Sequence, residues 1–352
     1  MSAKSLSTLI KCPAGFSGAY TIPDGFTSIV DEAFSSCSFL TSVTIPDSVT
    51  AIGDRAFDGC SALTSINVHP DNANYTSIDG VLLNKELTVL IKCPGGFSGA
   101  YTIPDGVTSI DNAAFYGCSA LTSVTIPDGV TSVGGWAFSG CDSLTSVTIP
   151  DSVIAICYCA FYMCRSLTSV IIGNSVTYIG ESAFYECRAL ASVTIGNGVT
   201  SIGESAFKEC RALTSVTFPD SVTCIKNSAF ICCSALTSVI IGDSVNSIGD
   251  WAFAHSGLTA LTIPDSVTDI GESAFACCYC LASVTLGNSV FSIGDQAFDG
   301  CRDLTSVLFT GDAPKICSSA FDDTPATIYY RPGTSGWGTA MAGRPAVLLP
   351  CD

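Results

Sequence analysis

Cysteine is the residue in this sequence with the most chemical options, because a thiolate can bind metals, attack electrophiles and form disulfides. The chain has 20 cysteines in 352 residues. Half of them come three residues after a phenylalanine and are called the Cys column here: Cys37, Cys60, Cys118, Cys141, Cys164, Cys187, Cys210, Cys233, Cys278 and Cys301. A position fixed relative to a recurring residue indicates a structural role. We therefore expect a column of packed, buried thiols, since free cysteine is among the most buried residue types.

Two alternatives for the cysteines stay open at this level. Disulfides between adjacent coils are compatible with a strand spacing of about 4.8 Å, but parallel Cβ vectors would strain the dihedral. A structural zinc site would need two C-x₂-C pairs, and neither the cluster at Cys157, Cys159 and Cys164 nor the one at Cys277, Cys278 and Cys280 provides two. We expect no metal. The redox state and the compartment are left undecided by the sequence.

The sequence does not predict catalysis. There are only two histidines, and the serines recur periodically instead of forming a nucleophile motif. No G-x-S-x-G, phosphate-binding G-x-x-x-x-G-K-[ST] or H-E-x-x-H motif occurs. We expect a non-catalytic protein without a cofactor.

The elements that position these residues form a repeat. Phenylalanine follows alanine about every 23 residues, except for one long gap after Phe57, at Phe34, Phe57, Phe115, Phe138, Phe161, Phe184, Phe207, Phe230, Phe253, Phe275, Phe298 and Phe321. Such a period predicts an α/β solenoid of about twelve 23-residue coils. Within a unit, Leu190, Val193 and Ile195 alternate as in a parallel strand with one buried face. The segment Gly203-Glu204-Ser205-Ala206-Phe207 is expected to form a short helical or 3₁₀ turn on the opposite face.

Departures from the period divide the chain. We expect a half-unit and two repeats in residues 1–66, an irregular insertion in 67–106, uninterrupted repeats in 107–321 and a cap in 322–352. In the insertion, runs from Thr76 to Leu83 and from Leu87 to Ile91 predict a β-hairpin. The opening stretch from Leu6 to Ile29 nearly repeats Leu87 to Ile110 without its first half. This suggests a fragment of a longer array or a shortened copy.

Charge and hydropathy restrict the partners. There are 31 acidic and 14 basic residues, and the net charge of −17 disfavours binding to nucleic acid. Polar residues interrupt every apolar run before it reaches membrane-spanning length, so no membrane insertion is expected. The apolar patch before Lys11 is too short for the hydrophobic region of a secretory leader, so we expect either that the protein stays inside the cell or that a leader lies outside this chain.

Two surfaces are candidates for binding a protein partner. The first is the outward strand face, where alternate hydroxyls form columns that include Thr125, Thr148, Thr194 and Thr217; β-propensity alone also accounts for them. The second is where the repeats differ from one another, because tyrosine and arginine are enriched at interface centres. Its residues are Tyr158, Tyr162, Arg165, Tyr178, Tyr185, Arg188 and Arg211. Neutralisation of the arginines by Glu186 and Glu209 is the alternative.

The recurring pattern L-T-S-V-T-I-P-D-S-V-T-S-I-G-E-S-A-F-x-x-C resembles the BspA-like leucine-rich repeat from about residue 6 to residue 321. The resemblance implies a leucine-rich-repeat solenoid with a binding surface. Members of that family are largely surface proteins of bacteria and protists, and several bind host matrix or plasma proteins. It also implies a cell-surface or secreted location, with an intracellular one not excluded.

We therefore expect a protein-binding or adhesion module. The alternative is a structural module that associates with itself through its N-terminal edge. A more remote alternative is an ice-binding solenoid, because the flat, regular array of hydroxyls on the outward strand face resembles the surfaces of such proteins.

Overall fold

In a computed structural model, residues 7–13 and 15–350 are described. Residues 1–6, Ala14, Cys351 and Asp352 lie outside this part, and with them the start of the expected half-unit and the end of the expected cap. The chain divides into two compact units, Met1–Leu167 and Thr168–Asp352. Each unit is a parallel-strand β-solenoid, and together they contain about 14 turns.

The described residues of the first unit contain fifteen strands, which are short because each covers one side of a coil. They are β1 (Ser7–Leu9), β2 (Gly18–Thr21), β3 (Phe26–Ile29), β4 (Leu40–Ile45), β5 (Ala51–Ile52), β6 (Ser65–Val68), β7 (Tyr75–Ile78), β8 (Val81–Asn84), β9 (Val89–Lys92), β10 (Ser98–Thr102), β11 (Ser109–Ile110), β12 (Ala120–Thr125), β13 (Ser132–Val133), β14 (Ser146–Ile149) and β15 (Ala155–Ile156).

Seventeen strands lie in the second unit up to residue 350. They are β16 (Ser169–Ile172), β17 (Tyr178–Ile179), β18 (Ser192–Thr194), β19 (Ser201–Ile202), β20 (Ser215–Thr217), β21 (Cys224–Ile225), β22 (Ser238–Ile240), β23 (Ser247–Ile248), β24 (Ala260–Ile263), β25 (Asp269–Ile270), β26 (Ser283–Leu286), β27 (Ser292–Ile293), β28 (Ser306–Phe309), β29 (Lys315–Ile316), β30 (Thr327–Tyr330), β31 (Ala340–Met341) and β32 (Arg344–Leu348).

Each regular coil contributes two parallel strands on different sides of the core. In the first unit the longer strands pair as β2-β4-β6 and β10-β12, and the short ones as β1-β3-β5 and β9-β11-β13-β15. In the second unit β24, β26, β28, β30 and β32 form the largest sheet of longer strands, while β17 to β29 form a ladder of short ones. The core between these sheets is a stack of phenylalanine rings. In the second unit, for example, Phe207 lies 5.1 Å from both Phe184 and Phe230 between ring centroids.

The expected helical or 3₁₀ turns are wrong, since the described residues contain no helix. The phenylalanine of each Ala-Phe pair is called the anchor of its coil here. In the coil anchored on Phe207, the N–H groups of Ser205, Phe207 and Glu209 donate to backbone carbonyl oxygens of the next coil, at 3.0, 2.8 and 2.9 Å. The intervening N–H groups close turns within their own coil. Ser205 and Glu209 have φ angles of 54° and 59°. A helix cannot continue through a segment in which every fourth residue has a left-handed backbone conformation.

The left-handed position two residues after the anchor explains one feature of the sequence. Glycine occupies it in four coils, at Gly59, Gly117, Gly140 and Gly300, with φ between 68° and 73°. Other coils have a residue with a larger side chain at this position, such as Glu186, whose φ angle is 55°. Glycine is therefore the least strained residue at this position.

Acidic residues in these turns accept hydrogen bonds from the backbone of the next coil. An Asp31 Oδ1 atom accepts the N–H of Asp54 at 2.9 Å, and Asp250 Oδ1 accepts the N–H of Glu272 at 2.8 Å. Asn227 Oδ1 similarly accepts the N–H of Asp250 at 2.9 Å. Short Asp and Asn side chains reach the neighbouring backbone, so part of the acidic composition serves the fold.

Two coils lack the Ala-Phe anchor, so the expected count of about twelve is low. The N–H of Cys12 donates to Ala33 O at 2.7 Å, and that of Cys93 donates to Ala114 O at 2.7 Å. Phe34 makes the same bond to Ala56 O in a regular coil. A count of Ala-Phe pairs misses the coils in which cysteine occupies the phenylalanine position.

The insertion contains three antiparallel strands, β7, β8 and β9, of which β9 joins the parallel ladder through β11. Strands β8 and β9 correspond to the expected hairpin, because they pair antiparallel between the two runs, while the first run is itself divided between β7 and β8. The chain reverses at Asp79 and Gly80, whose φ angles of 51° and 77° are those of a type I′ hairpin turn.

Candidate protein-binding surfaces

The Cys column lies inside the two units. All ten members are buried. In the first unit, the Sγ atoms of Cys60 and Cys141 lie 3.0 and 3.2 Å from the carbonyl oxygens of Phe34 and Phe115. In the second, Cys210 Sγ lies 3.2 Å from Phe184 O. These three thiols thus donate to the anchor carbonyl of the preceding coil, and each bond satisfies a buried acceptor.

None of the 19 described cysteines forms a disulfide. Burial raises the pKa of the Cys60 thiol to about 11, and burial likewise raises the pKa of Cys210 well above its usual value. These groups are therefore neutral and poorly nucleophilic near pH 7. Outside the column, Cys280 and Cys317 are exposed. Within residues 7–13 and 15–350, no group of three or more Cys, His, Asp or Glu side chains is arranged to hold a metal ion.

Thiol labelling is expected to separate these two classes. In native protein under reducing conditions, a maleimide reagent should react first at Cys280 and Cys317, because they are exposed. Members of the Cys column should react at least ~100-fold more slowly, since modification requires unfolding that costs several kcal/mol. Peptide mapping by mass spectrometry after timed labelling gives both rates. Rapid labelling of Cys141 or Cys210 in native protein would contradict the buried column.

The strand-face hydroxyls are exposed but do not form uninterrupted columns. Thr125 pairs with Thr102 in the first unit. In the second unit, however, Thr194 lies opposite Ile171, and Thr217 lies opposite Ile240. These isoleucines are 52% and 59% exposed. Thr148 is also exposed, on β14. The face therefore combines hydroxyls with protruding apolar side chains.

In the first unit, Tyr158 and Tyr162 belong to an aromatic cluster centred on Trp136. The ring centroids lie 6.5 Å apart for Trp136 and Tyr158 and 5.3 Å apart for Trp136 and Tyr162. Tyr116 lies 6.4 Å from Trp136 on the other side. Arg165 pairs with Asp142 at 3.4 Å. Sequence reasoning missed Trp136 and Tyr116; an alignment of neighbouring coils at the positions beside each anchor would have found both.

In the second unit, Arg188 and Arg211 are linked through carboxylates. Arg188 Nη2 lies 2.9 Å from Glu186 Oε2 and 3.7 Å from Glu209 Oε2, and Arg211 Nη2 lies 2.9 Å from Glu209 Oε2. The arginine side chains remain 47% and 55% exposed, whereas Glu186 is buried. Neutralisation by glutamate thus occurs, and it leaves both guanidinium groups accessible.

Tyr178 and Tyr185 each lie beside a lysine that the sequence analysis did not single out. Lys208 Nζ lies 5.4 Å from the centroid of Tyr185, and Lys226 Nζ lies 5.5 Å from that of Tyr178. These distances are within the range of cation–π contacts. The second unit therefore has a polar surface of alternating charge with partly buried tyrosines.

Comparisons with known proteins agree with this architecture. The BspA type leucine-rich repeat region, in six copies, matches residues 18–88, 99–214 and 200–327. A leucine-rich cell surface protein from Faecalibacterium prausnitzii is 30% identical, with a TM-score of 0.52 over 94% of this chain and 92% of that protein. A Bacteroides ovatus leucine-rich repeat protein, 24% identical with a TM-score of 0.54 over 92% of this chain and 79% of its own, shares the fold.

A leucine-rich repeat protein from Eubacterium ventriosum is 28% identical, with a TM-score of 0.65 over 69% of this chain. The chain spans 65% of the length of that protein. A comparison with curated proteins found no match. No helix among the described residues is long and apolar enough to cross a membrane.

Proposed function

Because the chain belongs to the BspA type leucine-rich repeat family, we propose that it is a non-catalytic adhesion module that binds a protein partner at the cell surface. Proteins of this repeat class generally bind protein partners. The F. prausnitzii relative is described as a cell surface protein, which supports the same location here. Family resemblance points to host matrix or plasma proteins as the class of partner.

We assign binding to the Arg/Glu surface, which comprises Tyr185, Glu186, Arg188, Glu209 and Arg211. One observation carries this assignment: both guanidinium groups are about half exposed while carboxylates hold them in place. A fixed arginine loses less side-chain entropy when a partner binds, and arginine is enriched among residues that dominate binding energy. The surface is therefore preorganised for carboxylates or backbone carbonyls of a partner.

A charge-neutral variant tests this surface without leaving a buried carboxylate unpaired. The consensus variant combines four replacements, Glu186→Gly, Arg188→Ser, Glu209→Gly and Arg211→Ser. Glycine suits the φ angles of 55° and 59° at the two glutamates, and serine occupies the arginine position in other coils, as at Ser61 and Ser119. Net charge and the fold should both be preserved.

We expect the parent chain to bind at least one protein in a panel of purified host matrix and plasma proteins, measured by surface plasmon resonance. The consensus variant should bind it at least ~10-fold more weakly at an unchanged melting temperature. Arg302→Ser is the control, because Arg302 is an exposed arginine at the same repeat position. Unchanged affinity of the consensus variant would reject this surface, and absence of binding to the whole panel would reject adhesion to such proteins.

Self-assembly through the N-terminal edge is the alternative function. Sedimentation velocity distinguishes it, because an assembly module forms oligomers as concentration rises whereas the proposed adhesion module stays monomeric. Ice binding is disfavoured by Ile171 and Ile240, which protrude from the hydroxyl face.

A further inference from the structure

The coil that contains β9, within the insertion, takes a shorter path around the core than its neighbours. In regular coils the anchor comes five positions after the last residue of the short strand, as from Ile52 to Phe57 and from Ile110 to Phe115. Leu90 pairs with Ile110, but Cys93, which occupies the anchor position, comes only three positions after it. Two residues of the turn are therefore missing, and a gap opens between the turns anchored on Phe57 and Phe115.

The gap leaves three backbone donors without a partner. In the preceding coil, the N–H groups of Glu32, Phe34 and Ser36 donate to the carbonyls of residues 54, 56 and 58 at 2.9, 2.7 and 2.7 Å. The equivalent N–H groups of Arg55, Phe57 and Gly59 have no hydrogen-bond acceptor among residues 7–13 and 15–350. The next two coils, anchored on Phe115 and Phe138, make all three of these bonds.

A cleft of about 370 Å³ lies at this gap. Its lining carries five carboxylates, from Asp31, Glu32, Asp54, Asp58 and Asp111, and two cations, from Arg55 and Lys92. Excess negative charge in a recess attracts a cation. The chain already places one there, since Lys92 Nζ lies 2.6 Å from Asp58 Oδ1 and 2.7 Å from Ala113 O.

Aromatic side chains form the far wall of the cleft. Trp136 is 37% exposed and Tyr158 is 50% exposed. The Tyr158 ring packs directly on Gly135, where an added Cβ would approach it to 2.6 Å. A guanidinium group above such rings gains cation–π attraction in addition to its attraction to the carboxylates.

We propose that this cleft is a second docking site, which receives a short basic peptide segment of a partner protein. Alternate carbonyls of the segment accept the N–H groups of Arg55, Phe57 and Gly59, as the carbonyls of a regular turn do in the preceding coil. A basic side chain of the segment lies against Trp136, near the carboxylates. Addition of a segment to an unpaired backbone edge gives affinity through main-chain bonds and specificity through side-chain positions. This site is separate from the Arg/Glu surface of the second unit.

Amide hydrogen exchange tests the unpaired edge in the unmodified protein. The amides of Arg55, Phe57 and Gly59 should exchange much faster than those of Glu32, Phe34 and Ser36, because only the latter are bonded. Equal protection of the two sets would overturn the proposal. A heptapeptide based on the turn sequence, acetyl-Gly-Arg-Ser-Ala-Ser-Arg-Gly-amide, is the probe, with serine replacing the anchor because Cys93 occupies that position.

Saturation with this peptide should slow exchange at Arg55, Phe57 and Gly59 at least ~10-fold. The matched peptide with glutamate in place of both arginines should bind at least ~10-fold more weakly. Trp136→Gly, which suits the φ of 59° at that position, should weaken binding of the arginine peptide about tenfold. Equal binding of the two peptides, no binding at millimolar concentration, or no effect of Trp136→Gly would each overturn the proposal.

Discussion

Replacement of Phe207 with alanine is expected to lower the free energy of unfolding of the second unit by about 3–5 kcal/mol. The Phe207 side chain has no solvent exposure and stacks between two other anchor rings at centroid distances of 5.1 Å. Its removal leaves a cavity that parallel strands on either side cannot close. Because each coil is supported only by its neighbours, the coils around residue 207 should unfold at lower denaturant concentration in the variant than in the parent. Chemical denaturation monitored by circular dichroism measures this change in the free energy of unfolding.

Phe291→Ala is the matched control for this prediction. Phe291 is 57% exposed and contacts solvent beside Lys315, whose Nζ lies 4.6 Å from the ring centroid. Its removal should cost less than about 1 kcal/mol, the size of an exposed cation–π contact. Equal losses for the two variants would mean that the phenylalanine stack does not stabilise the solenoid.

Lys92→Met is the second change with a large expected effect. The Lys92 and Asp58 side chains are only 7% and 14% exposed, and methionine would leave the Asp58 carboxylate in a poorly solvated position without its cation. Breaking a buried ion pair by removing one partner costs about 3–5 kcal/mol. Urea denaturation of the parent and the variant should give this difference in the free energy of unfolding.

Two further variants show whether the lost pairing is the cause. Lys85→Met should change stability by no more than about 0.5 kcal/mol, because Lys85 is exposed. The double variant Lys92→Met with Asp58→Asn should regain part of the loss, since it removes the unpaired charge. If the loss of stability in the double variant equals the sum of the losses in Lys92→Met and Asp58→Asn, the ion pair does not join the two coils.

Much of the fold follows from one spacing. The recurrence of phenylalanine and the Leu-x-x-Val-x-Ile strand predict stacked parallel coils, because both patterns are periodic and strong. The helical turns were wrong because left-handed residues such as Ser205 and Glu209 have no local signature. Glycine in the same column, at Gly117 and Gly140, was the available signal for a left-handed backbone.

The candidate sites were less accessible to sequence reasoning. Arg188 and Arg211 were found as departures from the repeat, but the sharing of Glu209 between them depends on distances across coils. The cleft beside Phe57 arises from two missing residues between Leu90 and Cys93. That deletion is visible in the sequence only after Cys93 is recognised as an anchor.

We propose that residues departing from the repeat carry the binding function, whereas the repeated residues carry the fold. The ratio of dissociation constants between the consensus variant and the parent chain, for one host protein bound by the parent, tests it most directly. We predict a ratio of at least ~10 with equal melting temperatures. A ratio near one, with the parent bound and both proteins folded, would contradict the claim.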